Sequence, residues 1–199
     1  FGAGFSVLLL AGLSWRWVVW AGVAVAAAAP LIWQFVLEGY QRQRILTLFD
    51  PQSDPLGAGW NIIQSTTAIG SGGLFGKGLF QGSQSYLEFL PEARTDFIVA
   101  VLGEELGFVG VAFLLFMYLL IIARGLWLAS QAGSTFGRLL AGAFVLTFFV
   151  YVFVNVAMVS GILPVVGVPL PLVSYGGTSA ITLMAGFGVI MSVRTHKAW

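Results

Sequence analysis

Apolar positions in this chain run together in long blocks instead of alternating with polar ones. Spanning a bilayer takes about 20 such residues, and five stretches qualify in whole or in part: Phe1–Leu13, Trp15–Leu37, Phe97–Ala123, Leu139–Val159 and about Thr178–Val193. The first has no initiator methionine and no basic segment ahead of it, so it reads as the tail of a membrane helix whose beginning is missing, not as a signal peptide. The last is short. Before it lies Ile162–Val173, broken by Pro164, Pro169 and Pro171, which can dip into the bilayer as a re-entrant segment. The pattern predicts an all-α polytopic membrane protein: about five transmembrane helices of a larger bundle, plus a long extracytoplasmic loop with short helices. Its divisions are membrane helices over 1–37, the loop over 38–96, and a C-terminal bundle over 97–199 with a proline-broken stretch at 161–177.

Composition agrees, at 58% hydrophobic and 9% charged, against roughly 45–50% apolar and 25% charged in soluble domains. A net charge of +1 argues against a nucleic-acid surface, and the lack of cysteine removes disulfides, thiol catalysis and Cys-rich metal sites. Charge also orients the spans. Arg16, Arg124, Arg138, Arg194 and Lys197 fall on one side with no acid among them, which the positive-inside rule makes cytoplasmic. His196, alone in that basic tail, is not a ligand. The other side receives the 38–96 loop, with acids Glu38, Asp50, Asp54, Glu88, Glu92 and Asp96 against Arg42, Arg44, Lys77 and Arg94.

Trp60, Ile62, Ile63, Leu74, Phe75, Leu79, Phe80, Tyr86, Leu87, Phe89 and Leu90 give this loop too much to bury for disorder. Gly39–Phe49 reads as a basic amphipathic piece stopped by Asp50-Pro51, Asp54-Pro55-Leu56-Gly57 as a turn, and Asn61–Ile69 as a short helix. Gly70–Gly82 is glycine-dense but is no Walker loop, because Ser71 and Gly78 stand where a glycine and a Ser or Thr are required. Two readings remain open for it: tight turns packed on the bundle, or a backbone nest with Lys77 for a pyrophosphate.

Candidate chemistry gathers at Leu90-Pro91-Glu92-Ala93-Arg94-Thr95-Asp96-Phe97. An acid at the threshold of a membrane helix is costly and is a functional candidate by default; the plainer reading is a helix-start acid favoured by the dipole, with Thr95 as the cap. At 100° per residue Ala100, Gly103, Gly107 and Gly110 project within about 40° of Asp96. That stripe turns Asp96 toward the protein interior, with Gly103-x-x-x-Gly107 as a packing nucleus. Glu104 and Glu105 lie about 12 Å deeper. They point in different directions, so at least one is a buried partner for hydroxyls, amides or a cation from another helix. Arg94 can steer an anion or merely snorkel to headgroups. A second dense feature runs from Asn155 to Ser179, where prolines and glycines break the helix at membrane depth. Such breaks line binding cavities or simply reverse the chain.

The Gln64-Ser65, Gly70-Ser71-Gly72-Gly73, Gly82-Ser83-Gln84-Ser85, LPEARTDF and Gly103-Glu104-Glu105-Leu106-Gly107 blocks resemble the SEDS family of bacterial cell-wall proteins. So does the second signature, with Asn155, Gly161, Pro164, Gly167, Ser174, Gly176, Gly177, Thr178 and Ser179 at the family's spacing. Gly76-Lys77-Gly78 and the run before LEFLPE resemble its RodA branch, which serves elongation, more than its FtsW branch. Arg94 departs from the histidine many members carry, and arginine does not titrate. The resemblance implies a glycosyltransferase that polymerises lipid II, an undecaprenyl-pyrophosphate disaccharide-pentapeptide, on the outer face of the membrane for cell-wall elongation. It implies that Asp96 is the catalytic carboxylate and that Lys77, Arg94, Glu92, Ser174, Tyr175 and Thr178 contact substrate. Lys77, Arg94 or a divalent cation such as Mg or Mn would stabilise the pyrophosphate leaving group. Implied partners are a class B penicillin-binding protein transpeptidase and membrane lipids. Family members have about twice as many spans, so this fragment alone is expected to be inactive. A precursor flippase and a non-catalytic scaffold of the elongation complex are the competing functions.

Overall fold

The computed structural model describes residues 14–54, 57–82, 95–175 and 177–195, without the side chains at 178, 179, 194 and 195. Among these residues every regular element is helical, as the apolar blocks predict. Helix α1 (Trp15–Leu31) contains Pro30 and widens into a π-helical turn over Ile32–Val36. Proline has no amide to donate and crowds the preceding turn; the wide turn after it closes with Leu37 N donating to Ile32 O at 3.0 Å. Helix α2 (Gly39–Phe49) is the expected amphipathic piece, opened by a capping box between Glu38 and Gln41. Arg42 Nη2 donates to Gln34 O at 2.8 Å and ties α2 back to the π turn. A short 3-10 turn at Pro51–Ser53 leads to α3 (Ala58–Gly72), longer at both ends than the 61–69 expectation. Its extra first turn rests on Asp54, whose carboxylate accepts the Ala58 amide at 3.0 Å where the helix dipole favours negative charge.

The bundle consists of α4 (Ile98–Ser130), α5 (Thr135–Val159) and α6 (Gly177–Thr195). Trp15–Val36, α4 and α5 are long and apolar enough to cross a membrane, and Ala180–Val193 within α6 is a shorter apolar run. Of the five expected spans, Phe1–Leu13 lies outside the described residues and the other four are helices. Helix α4 continues past Ala123 because Arg124 does not stop it: its guanidinium lies 4.1 Å from the centre of the Trp127 ring. Two apolar clusters hold the bundle. One joins Ala68 of α3 to Phe97, Ala100, Tyr118, Phe148, Met158 and Leu170; the other joins Ala129, Ala141, Val145 and Ile190 toward the opposite end. Helix α1 buries none of its residues against them.

The small-residue stripe packs as expected at its start, where Ala100 and Gly103 are buried. Its partner is α3: a Cβ on Gly72 would overlap the Gly103 carbonyl oxygen. At Gly107 the stripe fails as a helical face, because this residue has φ 67° and ψ −167° and α4 is broken there. In an unbroken helix the Phe108 and Val109 amides would donate to the Glu104 and Glu105 carbonyls. Here they donate to Gly73 O at 2.9 Å and Leu74 O at 3.1 Å, while Glu104 O and Glu105 O accept the amides of Lys77 at 2.9 Å and Gly78 at 3.0 Å. The glycine-dense segment is thus inserted into the hydrogen-bond ladder of α4. These four main-chain groups are thereby satisfied, which the apolar surroundings demand.

Only glycine permits this approach. A Cβ at Gly76 would overlap the Glu105 carbonyl oxygen, and one at Gly107 would overlap the Gly76 nitrogen. Gly107→Ala in the complete protein should therefore cost about 2 to 3 kcal/mol or more. Gly70→Ala, whose Cβ meets nothing within 4 Å, should be neutral or stabilise α3 by up to about 1 kcal/mol. Thermal unfolding in detergent measures both, and a Gly107→Ala protein as stable as wild type would contradict the inserted segment.

Candidate functional site

The site forms where the chain entering α4 meets the irregular segment that follows α5. Helix α5 ends in a Schellman motif: Gly161 has φ 73°, Ile162 N donates to Ala157 O at 2.8 Å, and Gly161 N donates to Met158 O at 3.1 Å. From there the chain runs without regular structure to Tyr175, with Pro164, Pro169 and Pro171 unable to donate. Its anchors come from the bundle. Leu170 is buried in the core, Met158 Sδ accepts the Val166 amide at 3.3 Å, and the Tyr118 hydroxyl donates to Pro171 O. Leu172, just beyond that last contact, is held at φ 67°, a conformation non-glycine residues rarely adopt.

Asp96 lies in the turn 95–97, partly buried, and both signatures converge on it. Asn155, fully buried on the penultimate turn of α5, donates through Nδ2 to Asp96 O at 2.8 Å and to Val168 O at 2.6 Å. Both acceptors are carbonyls, which only the amide nitrogen can satisfy, so the orientation of the carboxamide is fixed. The Ser174 hydroxyl accepts the Leu170 amide at 2.8 Å and donates to Thr95 O. The carboxylate itself lies against Gly167: a Cβ there would stand 3.2 Å from Asp96 Oδ2, and Gly167 has φ 73°. The structure therefore brings together Asp96, Asn155 and Ser174 from residues far apart in sequence. Helix α4 starts at Ile98 with Phe97 at the N-cap position, two residues past the Thr95 expected there; the Thr95 and Asp96 carbonyls accept from Ser174 and Asn155.

Lys77 and Glu104 form a second polar centre about 12 Å along α4 from Asp96. Lys77 Nζ lies 2.7 Å from Glu104 Oε1; the glutamate side chain has no exposure and the lysine has 32%. A carboxylate this deep needs a paired cation, and the sequence expectation of a buried partner is met at Glu104, by a loop lysine instead of a neighbouring helix. Glu105 is half-buried and its carbonyl receives Gly78 N. Since the Lys77 and Gly78 amides are bonded to α4, they are not an anion nest; the segment is turns packed on the bundle. Tyr175 is 84% exposed beside Ser174, and Thr178 lies in the first turn of α6. Glu92 and Arg94 lie outside the described residues. Among the described residues no three His, Cys, Asp or Glu side chains converge on a common point. One carboxylate at Asp96 and a lysine-bound Glu104 do not by themselves fit a divalent cation.

Sequence reasoning passed over Tyr118. Its signal was the lone hydroxyl in the apolar run 107–123.

The FtsW/RodA/SpoVE family model, described as "Cell cycle protein", matches residues 1–198. The chain belongs to this family. It is 64% identical over 195 residues to the peptidoglycan glycosyltransferase MrdB of Escherichia coli K12, covering 98% of this chain and 53% of that protein. It is 42% identical over 183 residues to the peptidoglycan glycosyltransferase RodA of Treponema pallidum, covering 91% and 42%. A probable peptidoglycan glycosyltransferase FtsW of Geobacter sp. M18 is 41% identical over 190 residues, covering 96% and 51%. A solved structure, "Structural coordination of polymerization and crosslinking by a peptidoglycan synthase complex", superposes with TM-score 0.79 at 34% identity, over 97% of this chain and 53% of that one. The chain thus spans about half the length of the curated relatives it matches.

Within this FtsW/RodA/SpoVE scaffold the Lys77–Glu104 pair should behave as one unit. Lys77→Met strands a buried carboxylate and should cost about 2 to 3 kcal/mol, less than the 3 to 5 of a fully buried pair because the lysine is partly exposed. Glu104→Gln should cost less, and the double variant should cost less than the sum of the two. A double-mutant cycle on unfolding of the complete protein measures the coupling; strict additivity would show that the two charges do not depend on each other.

Proposed function

We propose that the complete protein is a peptidoglycan glycosyltransferase that polymerises lipid II into glycan strands for cell-wall elongation, with Asp96 as its general base. The observation that carries this reading is the convergence of two distant signatures on one carboxylate, in a chain 64% identical to a named peptidoglycan glycosyltransferase. In the reaction a sugar hydroxyl oxygen attacks the anomeric carbon of a lipid-linked sugar. Its proton passes to Asp96 as the bond from that carbon to the pyrophosphate oxygen breaks, and the bonding electrons leave with the pyrophosphate. A carboxylate accepts such a proton from about 2.6 to 3.2 Å. The position of Asp96, at a helix start and partly buried, keeps it at the edge of the membrane domain, where a sugar on a lipid carrier presents itself.

The site faces the outside of the cytoplasmic membrane in this reading, with the C-terminus in the cytoplasm. The supporting observation is the clustering of Arg16, Arg124, Arg138, Arg194 and Lys197 at the opposite ends of the spans. Arg94, two residues before the carboxylate, and Tyr175, next to Ser174, are the proposed contacts for the pyrophosphate and a sugar face. Lys77 serves chiefly to hold Glu104, although its exposed third leaves it able to attract an anion. A class B penicillin-binding protein is the proposed partner, supported by the similarity to a complex described as coordinating polymerisation and crosslinking.

Asp96→Asn in the complete protein, assayed with its partner for glycan strands from lipid II, should lower the rate by at least about 10²- to 10⁴-fold, the usual contribution of a general base. Folding and partner binding should survive, since Asn155 grips the main chain and not the carboxylate. Retained polymerisation would remove Asp96 from the mechanism. Lipid translocation without polymer would support a flippase, and neither activity with tolerance of Asp96→Asn would support a scaffold.

A further inference from the structure

Asn155 and Ser174 contact Asp96 and Thr95 through main-chain carbonyls alone, and each bridges a second carbonyl or amide in the 167–174 segment. Asn155 Nδ2 joins Asp96 O to Val168 O, and the Ser174 hydroxyl joins Thr95 O to the Leu170 amide. These bonds fix two peptide units immediately before and at Asp96. They fix at the same time the main chain that follows Gly167, the surface against which the Asp96 carboxylate lies. Two consecutive peptide planes and the facing wall together determine where a short side chain can point. Aspartate has two side-chain torsions, so a rotation at its Cα moves the carboxylate by about an ångström or more.

From this geometry we infer that Asn155 and Ser174 are positioning residues for Asp96: they set the direction of its carboxylate by clamping the 95–96 main chain to the 167–170 wall. The inference rests on the proposed role of Asp96 as the base. It assigns Ser174, which the family resemblance implies to touch substrate, and Asn155, the first residue of the second signature, to one shared task. The chemistry suits residues of this type. An amide with two hydrogens can donate to two carbonyls at once, and a hydroxyl can donate and accept; neither adds a titrating group beside the base.

The test uses the complete protein with its partner and lipid II, with rates expressed per folded molecule. Asn155→Asp keeps the volume but replaces the donating nitrogen with an acceptor, and Ser174→Ala removes the hydroxyl. Both should lower kcat roughly 10- to 100-fold, as expected when a catalytic group shifts by about 1 Å, while KM for lipid II stays within about threefold because neither side chain binds substrate in this account. Ser174→Thr, which keeps the hydroxyl, should recover most of the loss. Ser65→Ala is the control for structure: its hydroxyl donates to Ile62 O and to Val159 O at 3.0 Å, tying α3 to the last residue of α5 without a bond to residues 95–96 or 167–174. It should lower the melting temperature and leave kcat unchanged. Wild-type kcat in both Asn155→Asp and Ser174→Ala, or losses confined to KM, would overturn the inference. If Asn155→Asp does not fold, the Ser174→Ala and Ser174→Thr pair decides alone. An Asp96→Asn enzyme that still polymerises would instead overturn the reading of the base, an outcome separate from either Asn155 or Ser174 result.

Discussion

A peptide group that leaves its helix in an apolar environment must find another hydrogen-bond partner, since each unsatisfied group costs several kcal/mol. Among the described residues the main chain departs from helix within the bundle at Gly107 and again after Val159, and much of the architecture follows from how the released groups are satisfied. At Gly107 a foreign main-chain segment, 73–78, supplies two carbonyls and two amides to α4. After Val159 the supply comes from side chains instead: Asn155, Ser174, Tyr118 and Met158 each take one group of the proline-rich stretch. The first repair is an exchange of backbone for backbone, which requires glycine because nothing larger allows the chains to approach. The second requires polar side chains inside a bundle that is otherwise apolar.

The two repairs flank Asp96. One clamps the turn in which it sits, and the other locks the helix that follows, further along α4. An acidic residue at a membrane boundary is held there against its preference for water, and a flexible surrounding would let it turn away. Here the main chain is fixed on both sides, and the facing wall lacks a side chain at Gly167. The part-buried Lys77–Glu104 pair belongs to the same construction. It adds a side-chain link at the level where the inserted segment meets α4, so that the segment is joined by charge as well as by backbone.

The helices were legible because apolar length is a strong signal: α2 has the expected limits, and the described spans differ from expectation mainly at their ends. The interior orientation of Asp96 was also legible, from Ala100 and Gly103. Periodicity could not reveal the break at Gly107, since a helical wheel presumes an unbroken helix and glycine is equally at home on a packing face or in a left-handed break. Nor could it pair Lys77 with Glu104, because their juxtaposition depends on the insertion of 73–78, a contact between segments with no shared pattern. Thr95 looked like a cap by residue type; the carbonyls of 95 and 96 had other partners more than fifty residues away, which no local rule contains. Asn155 was legible as the first residue of the second signature, but its two acceptors were visible only in the fold.

Amide hydrogen exchange in the complete protein tests the shared constraint most directly, read at Lys77 and Gly78 against Phe80, which is 88% exposed a few residues on. If the glycine-dense segment completes the ladder of α4, the Lys77 and Gly78 amides are protected as strongly as those within α5, although they belong to no helix. Exchange at these two amides as fast as at Phe80 would contradict the account.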